Sequence, residues 1–386
     1  MNSRERVNTT LNHIEPDKVP LDLGGNVSGI HIKAYKRLIE YLRIEDKNIQ
    51  YHDFVQQLVV PCEELLEKLK IDTRYIRPLD SIVKVEDVKV EHEGKYVGVY
   101  DQFGCFWGNF ADKDLDEILY YDPVIHPFSE FKTVSEIENY NWPDGRDKSP
   151  FKGLKECAKK LYETTNYALT THTAGCVFEY TTFIFGFTNA LRYLLRKPEL
   201  IIAAMEGFLT YWKDYITTFL NEVGEFLDIV CINGDLAQQA GPWMNLKVYE
   251  KIIKPVEKKL SDKVHELADV KINYHSCGSI PLFIPHWAEI GYDACNPVQI
   301  SAYDMEPCSL KKRFGDQITF WGGLCNTQAT LPFGTPQQIR DEVRRNLECF
   351  KPGGGFVASN VHNITAEVPP QNIVAMFDAA NEFRNY

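Results

Sequence analysis

No window of about 18 apolar residues runs uninterrupted through the chain, so nothing in it reads as a membrane-spanning helix. The start, Met1-Asn2-Ser3-Arg4-Glu5-Arg6-Val7, carries no apolar signal segment, and the two absences together predict a cytoplasmic protein. There is no basic run either. Acidic residues outnumber basic ones by 54 to 42, and the formal charge of −12 argues against a nucleic-acid surface. The ten cysteines (Cys62, Cys105, Cys157, Cys176, Cys231, Cys277, Cys295, Cys308, Cys325 and Cys349) form no Cys-x-x-Cys pair, which excludes zinc-ribbon and thioredoxin-type motifs. In a chain without a secretion signal they are expected to be reduced, most of them as small core residues. Ser276 and Ser359 have no nucleophile-elbow pattern around them. Gly353-Gly354-Gly355 precedes a strand rather than a helix, so it reads as a turn and not as a phosphate loop. With no internal repeat and no low-complexity linker, residues 1–386 are expected to form one domain.

What is present is core-forming material in a regular beat: 44% of the residues are hydrophobic and 12% aromatic. Val19–Leu23 reads as a first strand and Asp72–Ile76 as a weakly marked one. Tyr51–Leu69 is expected to be helical. Between residues 82 and 110 the pattern alternates, in Val83-Lys84-Val85, Val88-Lys89-Val90 and Tyr96–Val99, with Glu93-Gly94-Lys95 as a tight turn. That is the mark of a β-hairpin or meander inserted over the main fold. Beyond residue 150, strands at 167–171, 228–232, 270–274, 292–295, 318–321 and 356–359 alternate with helices. One helical face carries Phe208, Trp212, Tyr215, Ile216 and Phe219. Strand alternating with helix implies a parallel sheet, and about eight strands suit a closed (β/α)8 TIM-type barrel.

Active sites of such barrels lie at the carboxyl ends of the strands. The polar residues at those ends include Asp22, His172, Glu179, Asn233, Asp235, Gln239, His275, Cys277, Asn296, Cys325 and His362. His275 and Cys277 lie two apart at the end of a strand, so they point to the same face, and an imidazole beside a thiolate suits a borderline-soft ion such as zinc. Cys325 or His362, each after a late strand, is the candidate third ligand, which leaves a tetrahedral position for substrate or water. Glu179 is the carboxylate candidate for a fourth ligand or for holding substrate. Asp235 is either a group that orients substrate or a helix N-cap. Asn233, Gln239 and Asn296 are candidates for binding the polar end of a substrate. Phe103, Phe106, Trp107, Tyr180, Trp243 and Trp321 supply aromatic surface near the mouth.

The block Tyr274-His275-Ser276-Cys277-Gly278-Ser279, with Gly291–Gln299, Phe320-Trp321-Gly322-Gly323, Leu331–Pro336, Gly353–Phe356, Val361–Ile364 and Val368–Ile373, resembles the uroporphyrinogen decarboxylase superfamily. Gly234-Asp235-Leu236, Gly241-Pro242 and Ile253-Lys254-Pro255 extend the likeness, which covers roughly residues 160 to 386 well. The resemblance implies a distorted (β/α)8 barrel and two activities, tetrapyrrole decarboxylation and zinc-dependent methyl transfer with a corrinoid protein. The decarboxylases carry an arginine-rich stretch after the first strand to hold the porphyrinogen carboxylates. Here that place reads Asp22-Leu23-Gly24-Gly25-Asn26-Val27-Ser28-Gly29, without an arginine, so uroporphyrinogen is not the expected substrate. The methyltransferases carry a His-x-Cys pair, matched by His275 and Cys277, and a distant Cys seven residues before a proline. His362 stands at that third position, seven residues before Pro369. The resemblance therefore implies zinc, a small methyl donor or acceptor such as a methyl ether, and a corrinoid (cobalamin) carried by a partner protein. Two alternatives stand beside it. One is decarboxylation of a small non-porphyrin acid, with Asp22, Asp53 or Asp235 stabilising charge. The other is a non-catalytic protein that grips a corrinoid or porphyrin.

Overall fold

Seven short strands run parallel in one curved sheet, in the order Phe356–Val357, Thr319–Trp321, Ala294–Asn296, Lys271–His275, Ile229–Asn233, Ala168–Ala174 and Thr73–Tyr75. The computed structural model describes residues 1–114 and 117–386, apart from the side chains of Asp80, His172, Thr173 and Ala174; the candidate His172 therefore lies outside the described side chains. Val19–Leu23, expected to be a strand, fills the gap between the sheet's two edges without becoming a regular one. The Asp22 amide donates to the Ala358 carbonyl and the Ala358 amide to the Pro20 carbonyl, while on the other side the Asp72 amide donates to the Leu21 carbonyl. Pro20 has no N–H to give, so the pairing here is a bridge at Leu21–Ala358 rather than a ladder. With that segment in the eighth place the sheet closes into the expected barrel.

The strands are apolar on both faces because helices cover them outside and side chains fill them inside. The helix Ser3–Leu11, opened by an Asn2–Glu5 capping box, sends Val7 and Leu11 against Ala168, Ile229, Cys231, Ala294, Trp321 and Val357 inside the barrel. The amino-terminal end is thus plugged, and the polar residues gather at the other end.

Three expectations are corrected. Tyr51–Leu69 is not one helix: Gln50–Asp53 and Leu58–Val59 are strands, and only Glu63–Lys68 is helical. The Asp53 carboxylate accepts from the amide and the side chain of Gln56, Gln57 takes a φ of 54°, and Pro61 blocks a helix from running through. The inserted sheet runs beyond residue 110, since Phe106–Phe110 pairs with Asp122–Ile125 as well as with Tyr96–Tyr100. Its other neighbour is Glu91–Glu93 rather than Val88–Val90, and Val83–Lys84 pairs instead with Gln50–Tyr51. Gly94, at φ 57°, makes the tight turn. Finally, Cys308 and Cys349 form a disulfide, with Cα atoms 4.7 Å apart, where reduced thiols were expected. Residue 308 opens the helix Pro307–Phe314 and residue 349 nearly ends Pro336–Phe350, so the fold itself brings them together. Among the described residues no helix is long and apolar enough to cross a membrane.

Candidate metal centre and adjoining cavity

His275 is the last residue of its strand, and the chain turns after Cys277 at Gly278, where φ is 89°. A β-carbon at Gly278 would come within 2.6 Å of the Gln238 backbone, so only glycine allows this approach. The turn is pinned from three sides. The Ser276 amide donates to the Asn296 carbonyl at 2.7 Å, the Ser276 hydroxyl accepts from the Leu236 amide at 3.0 Å, and the Gly278 amide donates to Gln299 Oε1 at 2.7 Å. Ligand-type atoms of His275, Cys277 and His362 then lie within 4.8 Å of one another. Cys277 Sγ is 3.5 Å from His275 Nε2.

The donor set fits zinc. Burial pulls both imidazoles down to about 4, so each is neutral and keeps a lone pair. Which lone pair His275 offers is set by Asn296. The Asn296 Nδ2 group donates to the Trp321 carbonyl at 2.9 Å, which turns its Oδ1 toward His275 Nδ1 at 2.7 Å. Nδ1 must therefore carry the proton, and Nε2 is the free nitrogen facing Cys277 and His362. An outer-shell group that fixes the tautomer of a metal-ligating histidine is the usual companion of a metal centre. Asn296 was expected to bind substrate; it is fully buried, and the structure gives it to His275 instead.

Cys325 is not brought to this group. It is completely buried in the hydrophobic core, where burial and the nearby Glu342 push its thiol well up. The physical reason is the turn before it. Gly322 and Gly323, at φ 130° and 75°, steer the chain into the core, and Asn346 Nδ2 holds the Gly323 and Leu324 carbonyls at 3.0 and 3.1 Å.

Asp235 joins the cluster to a cavity. Its Oδ1 accepts from the Cys277 amide at 2.7 Å and lies 3.7 Å from His275 Nε2, while His362 is close enough to act on its charge. Asp235 also lies close enough to Glu179 for its charge to act on that carboxyl. Burial raises both carboxyl groups, and for Glu179 the Asp235 charge adds to the rise. Glu179, pushed up to about 8, therefore keeps its proton at neutral pH. Cys176 donates its thiol to Glu179 Oε2 at 2.8 Å.

Glu179 faces a cavity of about 340 Å³ that also takes its walls from Asn233, Asp53, Asp101, Trp107 and Tyr180. Asn233 Oδ1 is buried there without a hydrogen-bond partner among the described residues, in keeping with a substrate-binding role. Gln239 sits elsewhere, exposed on the short hairpin and bonded to Gln328. Of the aromatic candidates, Trp107 and Tyr180 line the cavity. Phe103, Phe106 and Trp321 are core, and Trp243 packs on Phe187. Asp101 and Cys176 were not foreseen as site residues. Asp101 accepts from Trp107 Nε1 at 2.8 Å, and its position in the inserted sheet gave no hint that this sheet walls the barrel mouth.

Comparison with known proteins follows this geometry. The family model described as Uroporphyrinogen decarboxylase (URO-D) matches residues 121–383. Curated relatives are uroporphyrinogen decarboxylases. That of Pseudoalteromonas translucida is 29% identical over 126 residues, 31% of this chain and 34% of the relative. That of Ruthia magnifica is 24% identical over 185 residues, 46% of this chain and 49% of the relative. The matches thus span between about a third and a half of these relatives' length. Among solved structures, a methyltransferase from Methanosarcina mazei superposes with a TM-score of 0.66 at 14% identity, covering 99% of both chains, which is a likeness of fold.

Proposed function

The chain belongs to the uroporphyrinogen decarboxylase family, and from that premise we propose that it is a zinc-dependent methyltransferase exchanging a methyl group between a small methylated substrate and a corrinoid protein. The observation that carries the reading is the convergence of His275 Nε2, Cys277 and His362, one thiol and two neutral imidazoles, with His275 held in the ligating tautomer by Asn296. A barrel of this fold is described as a methyltransferase in Methanosarcina mazei, so the scaffold accommodates that chemistry.

His275, Cys277 and His362 would hold the ion, and a fourth position would stay open to substrate or water. Bound zinc supplies Lewis acidity, which polarises the heteroatom of a methyl donor or lowers the pKa of a thiol acceptor. The chain's own residues do the rest. A methyl ether that loses its methyl group leaves an alkoxide or phenoxide, a poor leaving group unless it gains a proton. Glu179, held protonated by burial beside Asp235, carries that proton at a carboxyl oxygen facing the cavity. Asp235 accepts from the Cys277 amide and so fixes the loop that presents the thiol. Asn233 offers Oδ1 to the polar end of the substrate, and the walls of Trp107 and Tyr180 exclude water from it.

The lyase alternative, decarboxylation of a small acid, draws on the curated relatives. Asp22, one of its candidate groups, is spoken for: it is fully buried and accepts from Thr73, Tyr75 and Trp321. Metal analysis separates the readings. The wild-type chain and Cys325→Ala are expected to carry about one zinc per chain, the count a three-residue site with one open position requires. His275→Ala, Cys277→Ala and His362→Ala should lose both the zinc and methyl transfer to reduced cobalamin. A metal-free chain that decarboxylates, or a His362→Ala variant with undiminished zinc, would reject the proposal.

A further inference from the structure

A second cavity, of about 590 Å³, opens beside the first and shares Asn26 and Trp212 with it as walls. Its wall includes Arg77, which follows the strand Thr73–Tyr75. Among the residues lining either cavity, Arg77 is the one lysine or arginine among the described residues. Its guanidinium has no carboxylate within ion-pair distance among the described residues. Nη2 donates to the Gly24 carbonyl, Nη1 reaches the Tyr75 carbonyl at 3.5 Å, and Nε is buried with no partner. The group stacks 4.9 Å from the Tyr75 ring. The Asp22 carboxylate acts on it from beyond ion-pair distance, while itself accepting from Thr73, Tyr75 and Trp321. Burial drags the Arg77 cation down to about 10, against the smaller opposing pulls of Tyr75 and Asp22.

Among the described residues the buried arginines are paired, whereas Arg77 is half-buried. Arg6 and Arg384 meet Asp72, and Arg74 meets Glu63. A half-buried cation without an ion pair carries part of its desolvation cost uncompensated, and an anionic ligand would offset it. We propose that Arg77 binds the carboxylate of a small organic acid, placing the substrate's body along Trp212 and Tyr211 toward the cavity that holds Glu179. One guanidinium without a second cation suits a single negative charge, so a carboxylate rather than a phosphate dianion is its ligand. Asn26 and Gln102 stand on the same wall to share the carboxylate oxygens. Of the carboxylates on this wall, Asp144 pairs with Arg146 at 2.9 Å and Asp147 accepts from the amide and hydroxyl of Ser149. The proposed clamp is thus a single arginine just beyond the strand Thr73–Tyr75. It names the substrate class for the proposed methyl transfer and rests on that reading only for what happens afterwards.

The test uses benzoate, its neutral isostere benzamide, and inorganic phosphate, titrated calorimetrically into the full chain. Benzoate is expected to bind at least tenfold more tightly than benzamide or phosphate. Arg77→Met should abolish that preference while its melting temperature stays level or rises, because a half-buried charge without an ion pair has been removed. Arg77→Lys should restore part of it. Equal binding of benzoate and benzamide, phosphate binding as tight as benzoate, or an Arg77→Met variant that keeps the preference would overturn the assignment. So would an Arg77→Met variant that unfolds while Arg77→Lys binds no benzoate. His275→Ala should still bind benzoate, so failure of the metal reading and failure of this one are separable.

Discussion

Asn296 decides which nitrogen of His275 is free, and it does so by geometry alone, since its own amide is fixed by the Trp321 carbonyl. Replacing it with leucine, of similar size, leaves Nδ1–H unpaired in a buried place and lets the ring choose the wrong tautomer. Zinc affinity measured against a competing chelator is expected to fall about 10- to 100-fold, the usual loss when an outer-shell partner is removed. An unchanged affinity would separate Asn296 from the metal. At this scale the sequence was partly legible. His275 and Cys277 could be read as a ligand pair because strand periodicity fixes their common side. Cys325 could not be told from His362, because strand order says at which end of the barrel a residue lies and not where two glycines send the chain afterwards. Asn296 was recognisable as polar and close, but its partner depended on the Trp321 carbonyl, 25 residues away.

The strand Lys271–His275 is braced from outside by the helix Lys254–Leu267, and the contact is polar. Tyr249 donates to Glu257 Oε2 at 2.7 Å, Glu257 Oε1 meets the Tyr274 hydroxyl, and that hydroxyl lies 2.9 Å from the Gly234 carbonyl. All bonds are satisfied when Glu257 is protonated: it donates to Tyr274, and Tyr274 donates to Gly234, next to Asp235. Burial raises Glu257 from 4.5 to about 7, so the folded chain holds a proton that the unfolded chain releases across that range. Stability from this group is therefore full below pH 4.5 and falls as pH rises toward 7. Glutamine reproduces the protonated pattern, with Oε1 accepting from Tyr249 and Nε2 donating to Tyr274. Glu257→Gln should match the wild type in urea unfolding at pH 4.5 and exceed it at pH 8, by up to about 3 kcal/mol. A gain that does not depend on pH would contradict this. Elements of this barrel half were readable because apolar β-branched runs alternate with amphipathic helices. Residues 51–69 were misread because Asp53 and Gln56 form a local turn that helical spacing does not reveal.

For the molecule as a whole, the alternating pattern predicted the barrel, but not how it closes. Closure falls to a segment that is barely a strand, and a buried hub at the amino-terminal end of the barrel supports it. Asp72 accepts from Ser3 Oγ at 2.6 Å, Arg6 Nη1 at 2.5 Å, the Leu21 amide at 2.9 Å and Arg384 Nη1 at 3.1 Å. One carboxylate thus ties together the first helix, the closing segment, the strand Thr73–Tyr75 and the carboxyl-terminal end of the chain. These partners lie up to 312 residues apart, so no local pattern could announce them. Removing the carboxylate leaves Arg6 its second partner, Asp17, but strips Arg384 of its one ion pair among the described residues. Asp72→Ala is therefore expected to cost about 3–5 kcal/mol in urea unfolding, the range for breaking a buried pair from one side. Arg384→Met should recover part of that loss in the Asp72→Ala background, because the charge left stranded is then gone. If the double variant is no more stable than Asp72→Ala, the cost comes from the lost Leu21 and Ser3 bonds, and the closing segment rather than the ion pairs is what Asp72 secures.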